Sequence, residues 1–342
     1  MKPGELETFC VTKRDPSLYD EIEEFISSSP FSHFRQSVSW MQCHQDIEPY
    51  FYVVSKYDTK IVAASLVRQR RVPLIGKSKY FIDRGPVVLN LQYLSAHLEG
   101  IKDQLKKTAF WIRINPYIWD DNREEARRCI EDNMFIKTNA SVYTETIVMD
   151  LSQTENDLWK GLRRALKTQI NKADMLGVKI EHVNKESDLR GFIWNYNTFA
   201  RRKSIPQIPS AISKLLYKKI FSNETNGNIL LARYKGKILS GIAVIASADR
   251  AIFEWGFNNI NIEDKYIPAS HKLHWEVILW AKQKGLRFYD FGGYNTEEGS
   301  KYGLNHFKLG FSKIRQQIIP EYLIVYDSLW VRVARLISLF RR

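Results

Sequence analysis

The residues best suited to chemistry lie late in the chain, in Asp290-Phe291-Gly292-Gly293-Tyr294 and, shortly after, His306-Phe307-Lys308-Leu309-Gly310-Phe311. Leu286, Phe288 and Phe291 read as a buried strand running into two glycines, where another molecule can approach the backbone. A lysine inside an apolar frame can hold a developing negative charge, which makes Lys308 a candidate oxyanion stabiliser. The same residues also fit an ordinary β-turn with Lys308 snorkelling from the end of a helix or strand.

Two basic clusters come earlier. Ser152-x-x-Glu155 has capping-box spacing and predicts a helix whose stripe runs through Leu158, Leu162, Ala165, Gln169 and Ala173 and which closes at Gly177. On it Lys160, Arg163, Arg164 and Lys167 recur at i, i+3, i+4 and i+7, with Lys172 beyond them and Asp174 the one acid. Such a face can track a phosphate backbone, or it can simply be solvated. The second cluster, Arg201-Arg202-Lys203, ends the helical pattern of Phe192, Tyr196 and Phe199 before the stiff Ile205-Pro206-Gln207-Ile208-Pro209. Arginines there suit bidentate binding of phosphate or carboxylate, and equally suit the negative end of a helix.

Other chemistries find no frame. The chain has no G-x-S-x-G elbow, H-E-x-x-H, Walker-type loop or G-x-G-x-x-G. His271 and His274, beside Trp275, read as packing residues, and no metal is expected. Three scattered cysteines, Cys10, Cys43 and Cys129, suggest neither a disulfide framework nor a zinc site, and point to a reducing cytoplasm. Ile238 to Ala246, the longest apolar run, is broken by Ser240 and Gly241, far short of a membrane span. The N-terminus lacks a signal-peptide core. With 342 residues the chain has room for about two domains. Its net charge of +13 favours an anionic partner such as nucleic acid, a phosphorylated ligand or anionic lipid.

An internal repeat sets the architecture. Val53 to Ala63 reads as strand, tight turn, strand, and Leu230 to Ser240 repeats the pattern 177 residues later. At the same offset Lys107 to Pro116 falls on Lys284 to Gly293, each a helix end leading into a strand and a loop. Two ordered matches favour two copies of one α/β domain. The boundary is expected near the strand Thr146 to Asp150, giving a first domain of 1–149 plus 314–342 and a second of 150–313.

At this point the chain resembles the Fem-type aminoacyltransferases, which use aminoacyl-tRNA to add residues to peptidoglycan precursor peptides. The likeness rests on Phe34-Arg35-Gln36-Ser37-Val38-Ser39-Trp40, Tyr80 to Val87, Thr146 to Ser152 with the basic helix after it, Tyr289 to Gly293, and Phe307 to Phe311. It implies two tandem acetyltransferase-like (GNAT) α/β domains, mixed sheets flanked by helices, with the C-terminus returning to the first domain. The coiled-coil arm of some members is not expected, because Gly177 follows Ser152 too closely. The resemblance implies that an acceptor amine attacks the ester of aminoacyl-tRNA, with Lys308 holding the tetrahedral oxyanion. It implies that Arg202 binds precursor phosphates and that Trp40 and Trp255 line a substrate groove, with Gly292, Gly293 and Phe307 completing the substrate-binding set. Lys160, Arg163, Arg164 and Lys167 are assigned to the tRNA backbone from their charge. No cofactor is expected beyond the tRNA co-substrate.

Two positions depart from the family pattern. Met41-Gln42 stands where some members carry a phosphate-binding lysine, and Asn115 stands where an acid is often found before the proline. These bear on the acceptor more than on the transfer reaction. The competing readings are an acyl-CoA N-acyltransferase of the same fold, whose [RQ]-x-x-G-x-[GA] loop is missing from both halves, and a basic binding protein without activity. Finally, Leu329, Val333, Leu336 and Phe340 share a helical face among Arg332, Arg335, Arg341 and Arg342, which suits peripheral contact with the inner face of a membrane or packing on the first domain. A monomer is expected.

Overall fold

The structure is a computed structural model describing residues 6–13, 16–119, 121–138, 143–222, 226–259, 266–294 and 302–326. The C-terminal amphipathic stretch from Leu329 to Phe340 therefore lies outside the described residues. The chain forms two compact units, residues 1–144 with 317–342, and residues 145–316.

In chain order the first unit opens with β1 (Leu6–Val11), α1 (Tyr19–Ser28), α2 (Val38–His44), β2 (Tyr50–Tyr57) and β3 (Lys60–Arg71). It continues with β4 (Ser78–Ile82), β5 (Val87–Val88), α3 (Leu94–Leu105), β6 (Ala109–Ile114), α4 (Asn122–Asp132) and β7 (Ile136–Lys137). The second unit holds β8 (Glu145–Asp150), α5 (Glu155–Gly161), α6 (Arg164–Met175), β9 (Lys179–His182), α7 (Glu186–Lys203) and α8 (Ser210–Leu216). Then come β10 (Gly227–Tyr234), β11 (Lys237–Ser247), β12 (Arg250–Asn258), α9 (Ala269–Gln283), β13 (Phe288–Gly293), α10 (Tyr302–Lys308) and β14 (Ile314–Gln317). The chain finally returns as β15 (Tyr322–Val325) to the first sheet, whose order is β1-β2-β3-β4-β6-β15-β7 with β5 on β3. The second sheet runs β14-β8-β13-β12-β11-β10-β9. Because β8 and β14 both pair in the second sheet, the units part at Thr144/Glu145 and Gln316/Gln317, a few residues from the expected 149/150 and 313/314.

The repeat extends to details of register. Each hairpin turns over two residues, Asp58-Thr59 and Lys235-Gly236, with positive φ at Asp58, Lys235 and Gly236 as tight hairpins require. Just beyond each turn the pairing slips, between Ser55 and Lys56 in the first hairpin and between Ala232 and Arg233 in the second. The slips lie at the same 177-residue offset. A long helix and a parallel strand follow in each unit, α3 to β6 beside β4 and α9 to β13 beside β12. Leu94, Leu98, Ile101 and Leu105 of α3 join the first core with Val53, Val67, Ile112 and Ile114. Leu273, Val277, Ile278 and Ala281 of α9 do the same in the second, with Leu166 and Ile170 of α6. At about 1.5–3 kcal/mol per buried aliphatic side chain, these faces hold the helices in place more than helix propensity does.

The basic segment differs from expectation. Its N-cap is Thr154, whose Oγ1 accepts from Asp157 N at 3.2 Å and donates to Asp157 Oδ2 at 2.6 Å, while Ser152 N is engaged by Asp150 Oδ1. The helix then breaks, because Leu162 and Arg163 are extended (ψ 143 and 137) between α5 and α6. The break rotates the second half, so Leu166 and Ile170 are buried and Ala165 is exposed. The α6 end does close at Gly177: Gly177 N donates to Asp174 O and Val178 N to Ala173 O, the paired bonds of a Schellman stop. With seven- and twelve-residue helices between Thr154 and Gly177, this segment carries no coiled-coil arm.

Candidate active site

β12 and β13 run parallel for three residues only, Arg250 to Ile252 beside Phe288 to Asp290. Beyond Asp290, β13 bulges against β8, because Phe291 and Gly292 together oppose Ile147 between the pairs Asp290↔Val148 and Gly293↔Thr146. Gly292 has φ +73, a left-handed backbone that a side chain would strain. Asp290, fully buried, fixes this geometry: its Oδ1 accepts from Gly292 N at 2.7 Å and from Thr146 Oγ1.

In a regular strand successive carbonyls point in opposite directions. The bulge turns two of them toward one point, and Lys308 occupies it. Its Nζ donates to Gly293 O at 2.7 Å and to Gly292 O at 3.2 Å from the last position of α10. Lys308 is 7% exposed, and desolvation outweighs the attraction of Asp290, pulling its pKa down to about 8. An ammonium has three N–H donors, and the two carbonyls engage two of them. The third has no partner among the described residues and remains for an oxygen that gains charge during a reaction.

An aromatic shell surrounds this point. His274 of α9 accepts or donates at Nδ1 with Tyr289 Oη (3.1 Å), and its ring packs against Phe253, Phe291, Phe307 and Phe311 at centroid distances of 5.1–5.7 Å. Burial, with the Lys308 charge adding to it, pushes its pKa down to about 3 and keeps the imidazole neutral. His271, burial-depressed to about 4, stands edge-on to Phe307 at 5.0 Å. Both histidines are packing residues, as their sequence context predicts. Among the described residues no group of His, Cys, Asp or Glu side chains is gathered for a metal. A cavity of about 310 Å³ adjoins this shell, lined by Phe253, His274, Phe307, Leu304, Phe199 and Phe257 among others.

The structure therefore brings Gly292, Gly293, Phe307 and Lys308 together. Of the four cations assigned to tRNA, Arg163 contacts the residues flanking Phe307 and Lys308, donating Nη1–H to His306 Nε2 at 2.6 Å and N–H to Gly310 O at 3.0 Å. It does so because it sits at the break between α5 and α6. Lys167 is spent internally, donating to Lys160 O at 3.1 Å across that break, whereas Lys160 and Arg164 are exposed. The four cations thus do not share one continuous helix face. Arg202 lies in the last turn of α7 and donates to Asn259 Oδ1 at 3.1 Å, and Asn259 in turn bonds Asn195. Trp255, half-buried on β12, packs on Phe221 at 6.5 Å. Trp40, in the first unit, is buried against Phe34 (5.2 Å) and His44 (4.2 Å). Sequence reasoning assigned no role to Asp290, Thr146 or Tyr289. Asp290 could have been found, since an Asp two residues before a glycine is the signature of a side chain bonding the backbone ahead of it.

Two mixed sheets flanked by helices, the second bulged beside a buried lysine, define a tandem acetyltransferase-like protein. The acetyltransferase (GNAT) domain pattern matches residues 160–308, and the FemAB family pattern matches residues 18–206, more than half of the chain. The chain belongs to the FemAB family. It is 24% identical over 312 residues to a UDP-N-acetylmuramoylpentapeptide-lysine N(6)-alanyltransferase of Weissella viridescens, covering 85% of this chain and 89% of that one. The fold is similar to the crystal structure of FemX, with a TM-score of 0.80 at 16% identity over 97% of this chain and 99% of that one. It is also similar to that of L-PGS from Bacillus licheniformis, with a TM-score of 0.58 at 14% identity over 97% and 99%.

Proposed function

We propose that this protein is an aminoacyltransferase that moves an amino acid from aminoacyl-tRNA to an amine of a peptidoglycan precursor stem peptide. Membership of the FemAB family and the likeness to the alanyltransferase support the reaction class. The observation that carries the mechanism is Lys308, buried, held by two carbonyls and left with one N–H to offer.

The acceptor amine attacks the ester carbonyl of the donor, forming the C–N bond and placing negative charge on the carbonyl oxygen. Lys308 donates to that oxyanion. Collapse breaks the C–O bond to the ribose, and the proton released by the amine leaves on the ribose hydroxyl. The ester is already activated, so the reaction needs no further cofactor and no strong protein base. Arg163, beside His306 and Gly310, is the cation best placed to receive the phosphate backbone of the tRNA, and the net charge of +13 draws that polyanion in. The donor pool puts the reaction in the cytoplasm, with the protein acting as a monomer. Contact with the inner membrane surface rests on the C-terminal residues and is open to vesicle co-sedimentation.

The test is transfer of labelled amino acids from a charged total-tRNA pool to precursor, nucleotide-linked and lipid-linked in separate reactions, with acetyl-CoA as a parallel donor. Transfer from tRNA supports the proposal and identifies both amino acid and acceptor. Transfer from acetyl-CoA alone replaces it with acyl-CoA chemistry on the same fold.

A further inference from the structure

The first unit contains a buried cation that the proposed chemistry leaves unused. Arg84 follows β4 with φ +61, a conformation rare for a residue with a side chain. Its backbone is clamped there. Arg84 N donates to Asn115 Oδ1 at 2.6 Å, and buried Gln36 bonds Asp83 O (2.7 Å) and Leu66 N (2.7 Å) on the preceding side. Gly85 completes the clamp, because any Cβ on it would come within 2.6–2.9 Å of the Gln36 amide. Strained backbone held this firmly is a device for aiming a side chain.

The side chain aimed is a guanidinium, 5% exposed, lying 4.5 Å from the Tyr143 ring and 5.7 Å from the Tyr117 ring. Its Nη1 is buried with no hydrogen-bond partner among the described residues. The acids around Arg68 and Arg113 are taken. Asp83 is held by Arg68 and Arg113 at 3.2 Å each, Glu48 by Arg68 and Arg70, and Glu321 by Arg113. Arg84 forms no ion pair among the described residues. The local field is positive enough to be felt by His33, which stands edge-on to Tyr117 at 4.8 Å. Burial, then Arg84 and Arg35, hold its pKa well below the ordinary imidazole value, so it stays neutral. The rings recover only part of the cost of burying a guanidinium, and the missing share is what a counter-ion supplies. From Tyr117 the aromatic contacts run on through His33 and Phe34 to Trp40, whose ring carries the Arg35 guanidinium at 5.7 Å.

We infer that Arg84 is an anion-binding residue of the first unit that takes one oxyanion, phosphate or carboxylate, of the acceptor substrate. The planar fork of arginine matches either group through two parallel hydrogen bonds. That the anion belongs to the acceptor rests on the proposed transfer reaction, whereas the existence of the site does not.

The test is thermal denaturation of the whole chain at constant ionic strength, titrated with inorganic pyrophosphate in one arm and acetate in the other. Wild-type protein is expected to show a saturable rise in melting temperature, in the pyrophosphate arm for a phosphate site and in the acetate arm for a carboxylate site. Arg84→Met should abolish the rise. Arg84→Lys, which keeps the charge in the fold but loses the fork, should weaken the apparent affinity and serves if the methionine variant does not fold. In the transfer assay the KM for the acceptor should rise roughly 10- to 100-fold in either variant, with the KM for aminoacyl-tRNA unchanged. No saturable rise in the wild type, or an undiminished rise in Arg84→Lys or Arg84→Met, overturns the inference. Because the titration uses no tRNA, it stands or falls separately from the transfer reaction.

Discussion

His97 on α3 and His274 on α9 lie at the 177-residue offset of the repeat; His97 is fully buried and His274 half-buried, and desolvation pushes both to a pKa of about 3. In the first unit both ring nitrogens are satisfied by serines of the adjacent strands, Nδ1 by Ser55 Oγ at 2.7 Å and Nε2 by Ser65 Oγ at 2.9 Å. In the second unit the ring has one tyrosine partner, four phenylalanines around it and a lysine charge close enough to shift its titration. The strands at the same offset diverge likewise. β6 ends at Ile114, followed by Asn115-Pro116, whereas β13 bulges into Gly292-Gly293 and meets Lys308. Around the histidine one copy closes its polar groups on serines, whereas the other sets the lysine charge beside the ring. A duplicated scaffold thus separates into a unit that stays satisfied at this position and a unit that keeps a vacancy for chemistry.

The contrast is most easily broken at Lys308. Lys308→Met is expected to lower the transfer rate by about 10²–10³-fold or more with an unchanged circular dichroism spectrum, the effect of deleting one oxyanion donor. Retained activity would remove the asymmetry on which the mechanism rests. The histidines come next. His97→Ala should destabilise the fold by about 2–4 kcal/mol, because it opens a cavity and strands the Ser65 hydroxyl while Ser55 keeps Thr8 Oγ1, and should leave kcat of the folded fraction unchanged. His274→Ala should lower both, as read by denaturant melts alongside transfer assays.

Gly292→Ala should cost about 1–2 kcal/mol for the left-handed backbone, and kcat with it as the two carbonyls turn away from the ammonium. Asn115→Ala at the corresponding place in the first unit should cost stability and raise the acceptor KM, because Asn115 holds the Arg84 backbone, while leaving kcat unchanged. The pH profile sharpens the assignment further. Transfer should decline as pH rises through about 8, where Lys308 loses its proton, and a rate that climbs there instead would make the lysine a base. Stability moves the other way. The folded pKa lies below the ordinary lysine value of 10.5, so the unfolded chain holds more protons between about pH 8 and 10.5, and stability from this group increases across that window. Smallest of all, Thr154→Ala should cost about 1 kcal/mol as a lost helix cap, against little change for Ser152→Ala.

Much of this was legible from residue types. The hairpins announced themselves through matching apolar runs around a polar turn, and Gly292, Gly293 and Lys308 stood out as glycines and a cation in apolar surroundings. What stayed hidden were matters of register. The α5 cap could be drawn at Ser152-x-x-Glu155 or Thr154-x-x-Asp157, and Asp150 decides it by engaging Ser152 N. The helix break carried a signal in Leu166 and Ile170, more apolar than Ala165 and Gln169, but choosing that stripe requires knowing that the chain extends at Leu162 and Arg163. That the lysine is held by main-chain carbonyls follows from a bulge, a count of residues between two strands that no single strand can reveal.

During synthesis β6 must wait for its partner. β15 sits between β6 and β7 in the first sheet, yet it is encoded beyond every strand of the second. The ribosome therefore completes the strand set of the later unit while the earlier one still presents an unpaired edge, the feature that invites wrong pairing in nascent chains. The part translated second is the first able to finish folding, and the opening half of the chain depends on the closing residues to seal it.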